Sequence, residues 1–467
     1  MANTTFFKKA EEDADKITWK DVFSESLKHH SREDLEYALL AGTAMDGTTE
    51  QNMLQKWRKP WLYLRFLGIG GIAVVVMLVL LYVQSNMLLI RLPGYEQTTV
   101  IVISLLVPIT LMIFFWETNI PRNIAWYELV LYFVLGAVLA FFVTAVLFFL
   151  IPESVDRYGI EFEMDSFAAF REEPAKLAAS VLILSLCFRK KKLYGLMGLV
   201  VGAAVGAGFG GFESINYGLT GLENGMGSGM HTALFRAFTA VGGHALFCAP
   251  YTAAIALHSP EGKLEPGSFF NRDFAVTFLA SVAGHFLWNS GIDEYLFFLS
   301  YIDIEKFSQI MASQQAMEEL DLMIYRGNFF VMIFVTVLLW CSCIYILRKS
   351  LNQIVRAGRT QSAAASVRLQ FVSGPLKGKS FECSGASAVH IGRDLACELV
   401  IPDTGGVSRR HCRLQCENGK WFLQDLNSSY GTIVNGNRIN TSIQYPLNMG
   451  DRVSLGGNEV SFIIAKR

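Results

Sequence analysis

Five ionisable side chains lie inside or beside apolar segments, where a charged group is costly unless it has a partner or a function. They are Glu172, Glu173, Glu213, His244 and His285. Carboxylates and imidazoles in a partly dry cavity can activate water as general base and proton donor, or they can hold a divalent metal that acidifies water. These residue types therefore favour hydrolysis as the chemistry of this part of the chain.

Four further polar side chains accompany this group and are predicted to support it or take part in catalysis: Lys176, Asn216, Arg236 and Asn289. Asn289 follows His285 by four residues, so both lie on one helical face, and the amide can donate to an oxyanion. Lys176 follows Glu172 by the same interval. A local ion pair between these two residues at a helix start is the alternative to a catalytic Glu172.

The residues alone leave three functions open. An intramembrane hydrolase accounts best for two carboxylate positions and two histidines in the apolar region. A proton-coupled transporter is an alternative, because carboxylates and histidines also relay protons, and a catalytically inactive membrane-anchored receptor or scaffold is another. The sequence contains no HExxH pattern, which excludes a zincin-type helix.

The elements that must position these side chains are membrane spans. The chain has 467 residues, of which 52% are hydrophobic and 17% are charged, which is too apolar for one soluble domain. A spanning helix needs about 20 mostly apolar residues. We predict a polytopic helical bundle of about eight spans within residues 56–350, preceded by a cytoplasmic helical segment over 1–55. The spans are expected at roughly 61–84, 98–116, 127–151, 173–188, 193–217, 231–257, 273–299 and 327–347.

The distribution of lysine and arginine predicts the orientation of these spans. Basic runs such as RKKK at 189–192 alternate with acidic loops, which predicts a multi-pass protein of the cell membrane with both termini in the cytoplasm. In that orientation the three glutamates lie near the outer ends of their helices and both histidines lie near mid-depth. We therefore expect a single site in the outer half of the bilayer.

Two other features limit the possible partners of the protein and the packing of its helices. The formal net charge of −1 argues against a nucleic-acid partner, which leaves the lipid bilayer and proteins. A glycine occurs at every fourth position of the fifth predicted span, at Gly198, Gly202, Gly206 and Gly210. This ridge predicts that another backbone packs closely against the helix.

The segment resembles a known family. EEPAK, which ends at Lys176, matches the EExxK motif of the PrsW intramembrane proteases, and FGGFE, which ends at Glu213, matches their FxxxE motif. His244, and His285 followed by Asn289, fall where that family and the related type II CAAX prenyl proteases place later histidine motifs. The similarity covers about residues 127–300.

The resemblance implies cleavage of membrane-anchored proteins, with anti-sigma factors as the known type of substrate. It also implies catalytic roles for the five ionisable residues named first. It leaves open whether the site uses a divalent metal such as zinc or only glutamate and histidine. If a metal is bound, Glu213, His244 and His285 are its predicted ligands.

The C-terminal region has a different periodicity. The stretch 356–366 is small and polar, and we predict a flexible linker over 351–366. From residue 367 to 467, short β-type runs are separated by Gly, Asn, Asp and Pro, which predicts a β-sandwich. The motifs IGRD, VSRRHCRL, DLNSSYGTIVNG and LNMGDRVSLG occur there in order, and this set resembles a forkhead-associated (FHA) domain.

FHA domains are β-sandwiches whose loops bind phosphothreonine peptides, so the resemblance implies a threonine-phosphorylated cytoplasmic partner. The implied binding residues are Arg393, Ser408, Arg409 and Ser429. A guanidinium such as that of Arg393 offers a fork of donors to phosphate oxygens. His411 and Asn435 are expected to be scaffold hydrogen-bonding residues, and Tyr430 stands where many members have asparagine before GT.

Overall fold

The computed structural model describes residues 24–48, 53–86, 92–188, 191–259, 262–364, 366–383, 388–402, 405–417, 420–441 and 443–466. Much of the predicted N-terminal segment, residues 1–23, lies outside these ranges. The chain divides into two compact units. One holds Trp57–Gln353 and the segment up to Asp46, and the other holds Ile354–Arg467 and Gly47–Lys56.

Helices dominate the chain up to Ala364, and of these only Met53–Lys56 and the residues from Ile354 onward belong to the second unit. In chain order the α-helices are α1 (Arg32–Leu39), α2 (Met53–Lys56), α3 (Leu62–Asn86), α4 (Tyr95–Glu117), α5 (Trp126–Leu147), α6 (Ala168–Cys187), α7 (Gly195–Glu223), α8 (Met226–Thr239), α9 (His244–Leu257), α10 (Arg272–Asn289), α11 (Ile292–Ile302), α12 (Ile304–Met311) and α13 (Gln314–Ala364). Short 3-10 turns precede α6, α9 and α10. A hairpin of β1 (Ser154–Arg157) and β2 (Ile160–Glu163) lies between α5 and α6.

The predicted helical membrane region is confirmed, although the number of clear spans differs. Six helical stretches within the described residues are long and apolar enough to cross a membrane: α3, α4, α5, α7, the combined α8–α9 stretch and α13. The predicted fourth and seventh spans correspond to α6, of 20 residues, and α10, of 18 residues, whose charged and polar side chains make them less apolar than the other six. α6 extends far enough back to include Glu172 and Glu173 in its second turn.

Two predicted continuous spans are interrupted in the structure. The predicted span 231–257 consists of α8 and α9, separated by a turn and by Gly243, whose extended backbone caps α9. The predicted span 273–299 consists of α10 and α11, separated at Ser290 and Gly291, which both have extended conformations. Hydropathy averaged over a whole span did not reveal these breaks, because longer apolar runs continue on both sides of each.

The glycine ridge of α7 packs against α9 as predicted. A Cβ atom built on Gly202 would lie 2.7 Å from the carbonyl oxygen of Cys248, and one on Gly198 would lie 2.6 Å from that of Thr252. A side chain at Gly206 would collide with the backbone of His244. The absence of side chains therefore allows α9 to approach α7 closely and sets the position of His244.

The last helix is longer than the sequence predicted. α13 starts thirteen residues before the predicted span 327–347 and continues to Ala364. The stretch 351–366, which was expected to be a flexible linker, is therefore helical through Ala364. Charged and polar residues at helical spacing extend the helix beyond its apolar part, whereas the composition of small and polar residues had suggested a coil.

The second unit contains the predicted β-sandwich, which is confirmed. Its strands are β3 (Val367–Ser373), β4 (Ser380–Cys383), β5 (Val389–Gly392), β6 (Leu399–Val400), β7 (Cys412–Glu417), β8 (Lys420–Asp425), β9 (Thr432–Val434), β10 (Asn437–Arg438), β11 (Tyr445–Leu447), β12 (Arg452–Leu455) and β13 (Val460–Lys466). They form sheets with strand orders β10-β9-β12-β13-β3-β4 and β11-β8-β7-β5-β6. Alternate apolar side chains of both sheets pack into one core.

Candidate active site

Glu173 is the centre of a buried polar cluster. Its side chain is fully buried and accepts three hydrogen bonds. Oε1 accepts from Lys176 Nζ at 2.6 Å and from His285 Nδ1 at 2.8 Å, and Oε2 accepts from the hydroxyl of Tyr251 at 3.2 Å. Three helices, α6, α9 and α10, therefore meet at one carboxylate.

Lys176 joins this carboxylate to the second histidine. Its fully buried ammonium group lies 2.8 Å from His244 Nδ1 but 3.8 Å from Glu172 Oε2. The local ion pair with Glu172 that the spacing suggested is therefore the longer contact, and the pair with Glu173 is the shorter one. Because an ammonium group has no lone pair, His244 Nδ1 must be the acceptor, and the proton of this imidazole is on Nε2.

Glu172 differs from its neighbour in having an unused oxygen. The residue is 8% exposed, and its Oε2 has no hydrogen-bond partner among the described residues. This atom lies 3.7 Å from His285 Nε2 and 3.9 Å from His244 Nδ1. A buried carboxylate oxygen without a donor is costly, so this atom is available to a water molecule, a substrate or a cation.

His285 is oriented by the residues around it. Its Nδ1–H donates to Glu173, which leaves the lone pair of Nε2 directed away from that carboxylate. Asn289 Nδ2 lies 3.4 Å from Nε2 and equally far from the carbonyl oxygen of Asp165. The ring of Phe247 stacks on the imidazole with centroids 4.9 Å apart, which further limits its rotation.

Glu213 holds the other nitrogen of His244. Its Oε2 accepts from His244 Nε2 at 2.9 Å and also from the guanidinium group of Arg236. Arg236 donates to Ser214 Oγ at 3.1 Å and lies over the ring of Tyr217. Arg236 thus acts on Glu213 directly, as a supporting residue should.

A cavity of about 310 Å³ opens onto this cluster. Among its lining residues are Glu172, Glu213, His244, His285 and Asn289. Asn216, which was predicted to support Glu213, is exposed and is not part of the cavity wall. Asn216 follows Glu213 by three residues on α7, which predicts a shared helical face, yet only Glu213 lines the cavity.

Asp165 lines the same cavity from the turn before α6. Burial raises the pKa of its carboxyl group, and the nearby carboxylate of Glu294 raises it further. The sequence analysis missed this residue and also Tyr251. The latter follows His244 by seven residues, so the two-turn spacing could have placed both on one face of α9.

α13 supports both histidines from outside the cluster. Thr336 packs against Gly242, at the break that precedes His244. A Cβ atom on Gly284, the residue before His285, would lie 3.2 Å from Val335. Further along α13, Lys349 Nζ and the hydroxyl of Tyr345 each donate to Asp273, in the first turn of α10, at 2.7 Å.

The second unit brings the predicted phosphate-binding residues into neighbouring loops. The backbone N–H of Arg393 donates to the carbonyl oxygen of Ser408 at 3.2 Å. Ser408 Oγ accepts from the backbone N–H of Ser429 at 3.0 Å. Arg393, Arg409 and Ser429 are exposed. Two arginines and two hydroxyl groups therefore lie on one loop surface.

His411 and Asn435 are scaffold residues, as expected. His411 Nδ1 accepts from the backbone N–H of Ser408 at 3.1 Å, so its Nε2–H donates to the carbonyl oxygen of Gly431. Burial lowers the pKa of this imidazole. Asn435 has a left-handed backbone conformation, and its side chain bonds Asp451 and the backbone of Arg452. Both residues fix loops, and His411 is buried whereas Asn435 is exposed.

Comparison with known proteins agrees with both units. The model of the PrsW family intramembrane metalloproteases matches residues 125–311, and the FHA domain model matches residues 389–456. The chain contains a PrsW-type protease domain and an FHA domain. The first match covers the helices that carry every member of the buried cluster, and the second covers the loop surface with Arg393.

Two relatives among characterised proteins are named for an FHA domain. An FHA domain-containing protein of Arabidopsis thaliana is 34% identical over 91 residues, which are 20% of this chain and 24% of that protein. The FHA domain-containing protein FhaA of Mycobacterium tuberculosis is 36% identical over 99 residues, or 21% of this chain and 18% of that protein. The chain thus matches about a quarter or less of the length of these relatives.

Solved FHA domains are also similar. The solution structure of an FHA domain from Arabidopsis thaliana has 35% identity, covers 21% of this chain and 84% of that chain, and has a TM-score of 0.21. An FHA domain studied for phosphothreonine-dependent interactions has 32% identity, covers 22% of this chain and 97% of that chain, and has a TM-score of 0.19.

The PrsW family is described as a metalloprotease family, and the buried cluster fits a metal ion. Glu172, His244 and His285 each offer a ligand atom, and these atoms lie within 4.8 Å of one another. Nitrogen and carboxylate oxygen donors of this kind suit zinc. This set differs from the predicted one, because Glu213 Oε2 is occupied by His244 and Arg236, whereas Glu172 Oε2 has no partner among the described residues.

Proposed function

We propose that this protein is an intramembrane peptidase that hydrolyses a membrane-anchored protein, of the anti-sigma-factor type, at the cavity beside Glu172. One observation supports this proposal above the others. Side chains from four helices of the PrsW-type domain converge on one buried cluster, and that cluster borders a cavity of about 310 Å³. A structural ion-pair network alone would leave no reason for an unpaired buried carboxylate oxygen.

The residues have distinct roles in this proposal. In the metal-free mechanism, Glu172 Oε2 accepts a proton from a water molecule in the cavity and is the general base. Glu173 is a positioning residue, since it fixes the tautomer and the ring orientation of His285. Asn289 Nδ2 donates to the oxygen that becomes negative when water attacks the peptide carbonyl carbon.

Glu213 and Lys176 position His244 from opposite sides. Glu213 accepts the Nε2–H proton, and Lys176 donates to Nδ1. A metal ion, when bound, would be held by Glu172, His244 and His285 and would acidify water and polarise the peptide carbonyl. His244 can use Nδ1 as a ligand only if the ammonium group of Lys176 stops donating to that nitrogen. Glu173 Oε1, 2.6 Å from Lys176 Nζ, is the acceptor that remains for the ammonium group.

The test is cleavage of a membrane-anchored reporter by the full-length protein in proteoliposomes. Glu172→Gln, Glu213→Gln and His285→Ala should each lower the cleavage rate by at least about 100-fold, the usual scale for loss of a general acid or base. Glu223→Gln is the matched control, because Glu223 is exposed at the end of the helix that carries Glu213. Undiminished cleavage by Glu172→Gln or His285→Ala would refute the assignment.

Elemental analysis separates the metal from the metal-free mechanism. Purified protein should contain about one equivalent of a divalent metal, and Glu172→Gln should contain less, whether or not a substrate has been identified. Retention of full metal content by Glu172→Gln and His285→Ala would show that the metal, if present, lies elsewhere. Full activity of metal-free protein would favour glutamate and histidine alone.

For the FHA domain, we propose binding of a threonine-phosphorylated partner on the surface formed by Arg393, Ser408, Arg409 and Ser429. The two guanidinium groups can form charge-assisted hydrogen bonds to phosphate oxygens, and the hydroxyl groups add neutral donors. Binding of a phosphorylated cytoplasmic partner, or of a cytoplasmic tail of the substrate, would raise the local concentration of substrate. This role requires both termini to be cytoplasmic, as the basic flanks predict.

A further inference from the structure

A second cavity, of about 420 Å³, lies far along the chain from the candidate active site. Its walls come from the segment before α1, from α1 itself, from the residues that precede α3, and from the end of α4 and the loop after it. It shares no lining residue with the cavity beside Glu172. Its volume falls within the range of small-molecule sites. Neither the PrsW-type domain nor the FHA domain accounts for it.

The carboxylates on the wall of this cavity are already engaged. Glu117 accepts from three backbone N–H groups at the start of α3, at 2.8 to 2.9 Å. Asp34 accepts from the backbone and hydroxyl of Ser31, and Glu25 accepts from Lys28 at 2.8 Å. Their negative charge is therefore balanced by donors within the protein and is a weak obstacle to an anionic ligand.

The arginines on the same wall retain donors. Arg58 has an exposed side chain, and its guanidinium group lies 5.3 Å from the ring centre of Tyr37. Arg122 is buried and uses Nε and Nη2 for Asp46 and for the carbonyl oxygen of Tyr37. These contacts leave the N–H groups of Nη1. Planar guanidinium groups are well suited to phosphate oxygens.

Asn119 adds an acceptor that lacks a partner. The residue is 2% exposed and lines the cavity. Its Nδ2 donates to Asn123 Oδ1 at 3.1 Å, but no described residue donates to its own Oδ1. A buried amide oxygen without a donor is rare, because its desolvation is uncompensated. A ligand that brings a hydroxyl or ammonium group to this atom would remove that deficit.

The cavity lies at the level where two apolar helices end. α3 starts at Leu62 and α4 ends at Glu117, and residues at or next to these two positions line the cavity. Three tryptophans line the cavity: Trp57, Trp61 and Trp116. Tryptophan is enriched at the membrane–water interface, and basic residues at that level attract anionic lipids.

We propose that this cavity binds a phosphate ester whose other end carries a hydrogen-bond donor, such as the headgroup of phosphatidylglycerol. Arg58 and Arg122 would bind the phosphate, and Asn119 Oδ1 would accept from the terminal hydroxyl group. The same chemistry is present in soluble glycerol phosphate, so the two sources must be separated by experiment. The proposal does not depend on the protease function.

The test is thermal unfolding of the full-length protein in lipid-free detergent, with phosphatidylglycerol, phosphatidylcholine or soluble glycerol phosphate added. Phosphatidylglycerol should raise the Tm of the wild type by several degrees. Phosphatidylcholine should raise it less, because its choline group has no N–H or O–H donor. If soluble glycerol phosphate reproduces the full shift, the ligand is a soluble ester; if it has no effect, the ligand is a lipid.

Two variants locate the effect. Arg58→Ala changes an exposed side chain and should remove at least half of the shift, whereas the control Arg272→Ala, exposed at the start of α10, should retain it. Asn119→Leu should remove the difference between phosphatidylglycerol and phosphatidylcholine. A shift that is equal in the wild type and in Arg58→Ala, or equal for the two lipids in the wild type, would overturn the proposal.

Discussion

The pair formed by Glu173 and Lys176 yields a prediction about both stability and activity. Both side chains are fully buried, and their charged atoms lie 2.6 Å apart. Removal of one partner of a buried ion pair usually costs about 3–5 kcal/mol, because the other charge stays uncompensated. Glu172 Oε2, 3.8 Å from the ammonium group, can take over part of the interaction. We therefore expect Glu173→Gln to lower the free energy of unfolding by about 3 kcal/mol.

A second substitution separates the effect on stability from the effect on activity. Lys176→Met combined with Glu173→Gln removes the uncompensated charge and retains a side chain of similar length. The double variant should therefore recover most of the lost stability. Cleavage should stay at least about 100-fold below the wild-type rate, because His285 loses the carboxylate of Glu173 and His244 loses the ammonium group of Lys176.

The measurement is a double-mutant cycle of reversible unfolding in mixed micelles, with reporter cleavage measured on the same samples. A coupling free energy of at least about 2 kcal/mol is expected for a desolvated pair in contact. Stability changes that simply add would contradict the buried ion pair. A double variant that cleaves at the wild-type rate would contradict the positioning role of Glu173.

Four other predictions follow from the remaining contacts. Arg393→Ala should weaken binding of phosphothreonine peptides by about 2–5 kcal/mol in a calorimetric titration, whereas Arg368→Ala, an exposed arginine of β3, should bind as the wild type does. Because burial lowers the pKa of His411 from 6.5, unfolding takes up a proton at low pH. The stability of the β-sandwich should therefore fall as the pH drops below about 6.5, and His411→Gln should flatten this dependence in denaturant titrations. Asp273→Asn should cost about 1–3 kcal/mol of stability, the scale of hydrogen bonds to a charged group, and a thermal-shift assay that shows no loss would count against the contact with α13. Cysteine labelling at residue 308 from outside the cell but not at residue 377 would support cytoplasmic termini, and the reverse pattern would contradict them.

The sequence by itself determined the fold class of both units and pointed to most of the side chains in the buried cluster. In a bilayer, the backbone N–H and C=O groups of a long apolar run must be hydrogen-bonded within a helix. Short runs broken by turn residues favour a β-sandwich. An ionisable residue in an apolar segment is costly wherever the segment packs. Glu172, Glu173, Glu213, His244 and His285 could therefore be selected without knowledge of their partners.

Only the tertiary structure decided which of these residues contact each other. Spacing along α6 paired Glu172 with Lys176, but the lysine donates to Glu173 and His244, because α9 packs closely enough on the glycine ridge to bring the imidazole to it. Distances between helices follow from packing and are not contained in a local pattern. Asn216 shares a helical region with Glu213 and is nevertheless outside the cavity.

The breaks within the predicted spans were decided in the same way. Gly243 and Gly291 adopt extended conformations beside the helices that carry His244 and His285, and each lies inside a stretch that is apolar on average. Hydropathy measures the preference for an apolar environment and does not report where a helix ends inside it. The unpaired oxygen of Glu172, which is central to the proposed chemistry, likewise follows from what surrounds it in space, because hydrogen-bond satisfaction is a property of the assembled fold.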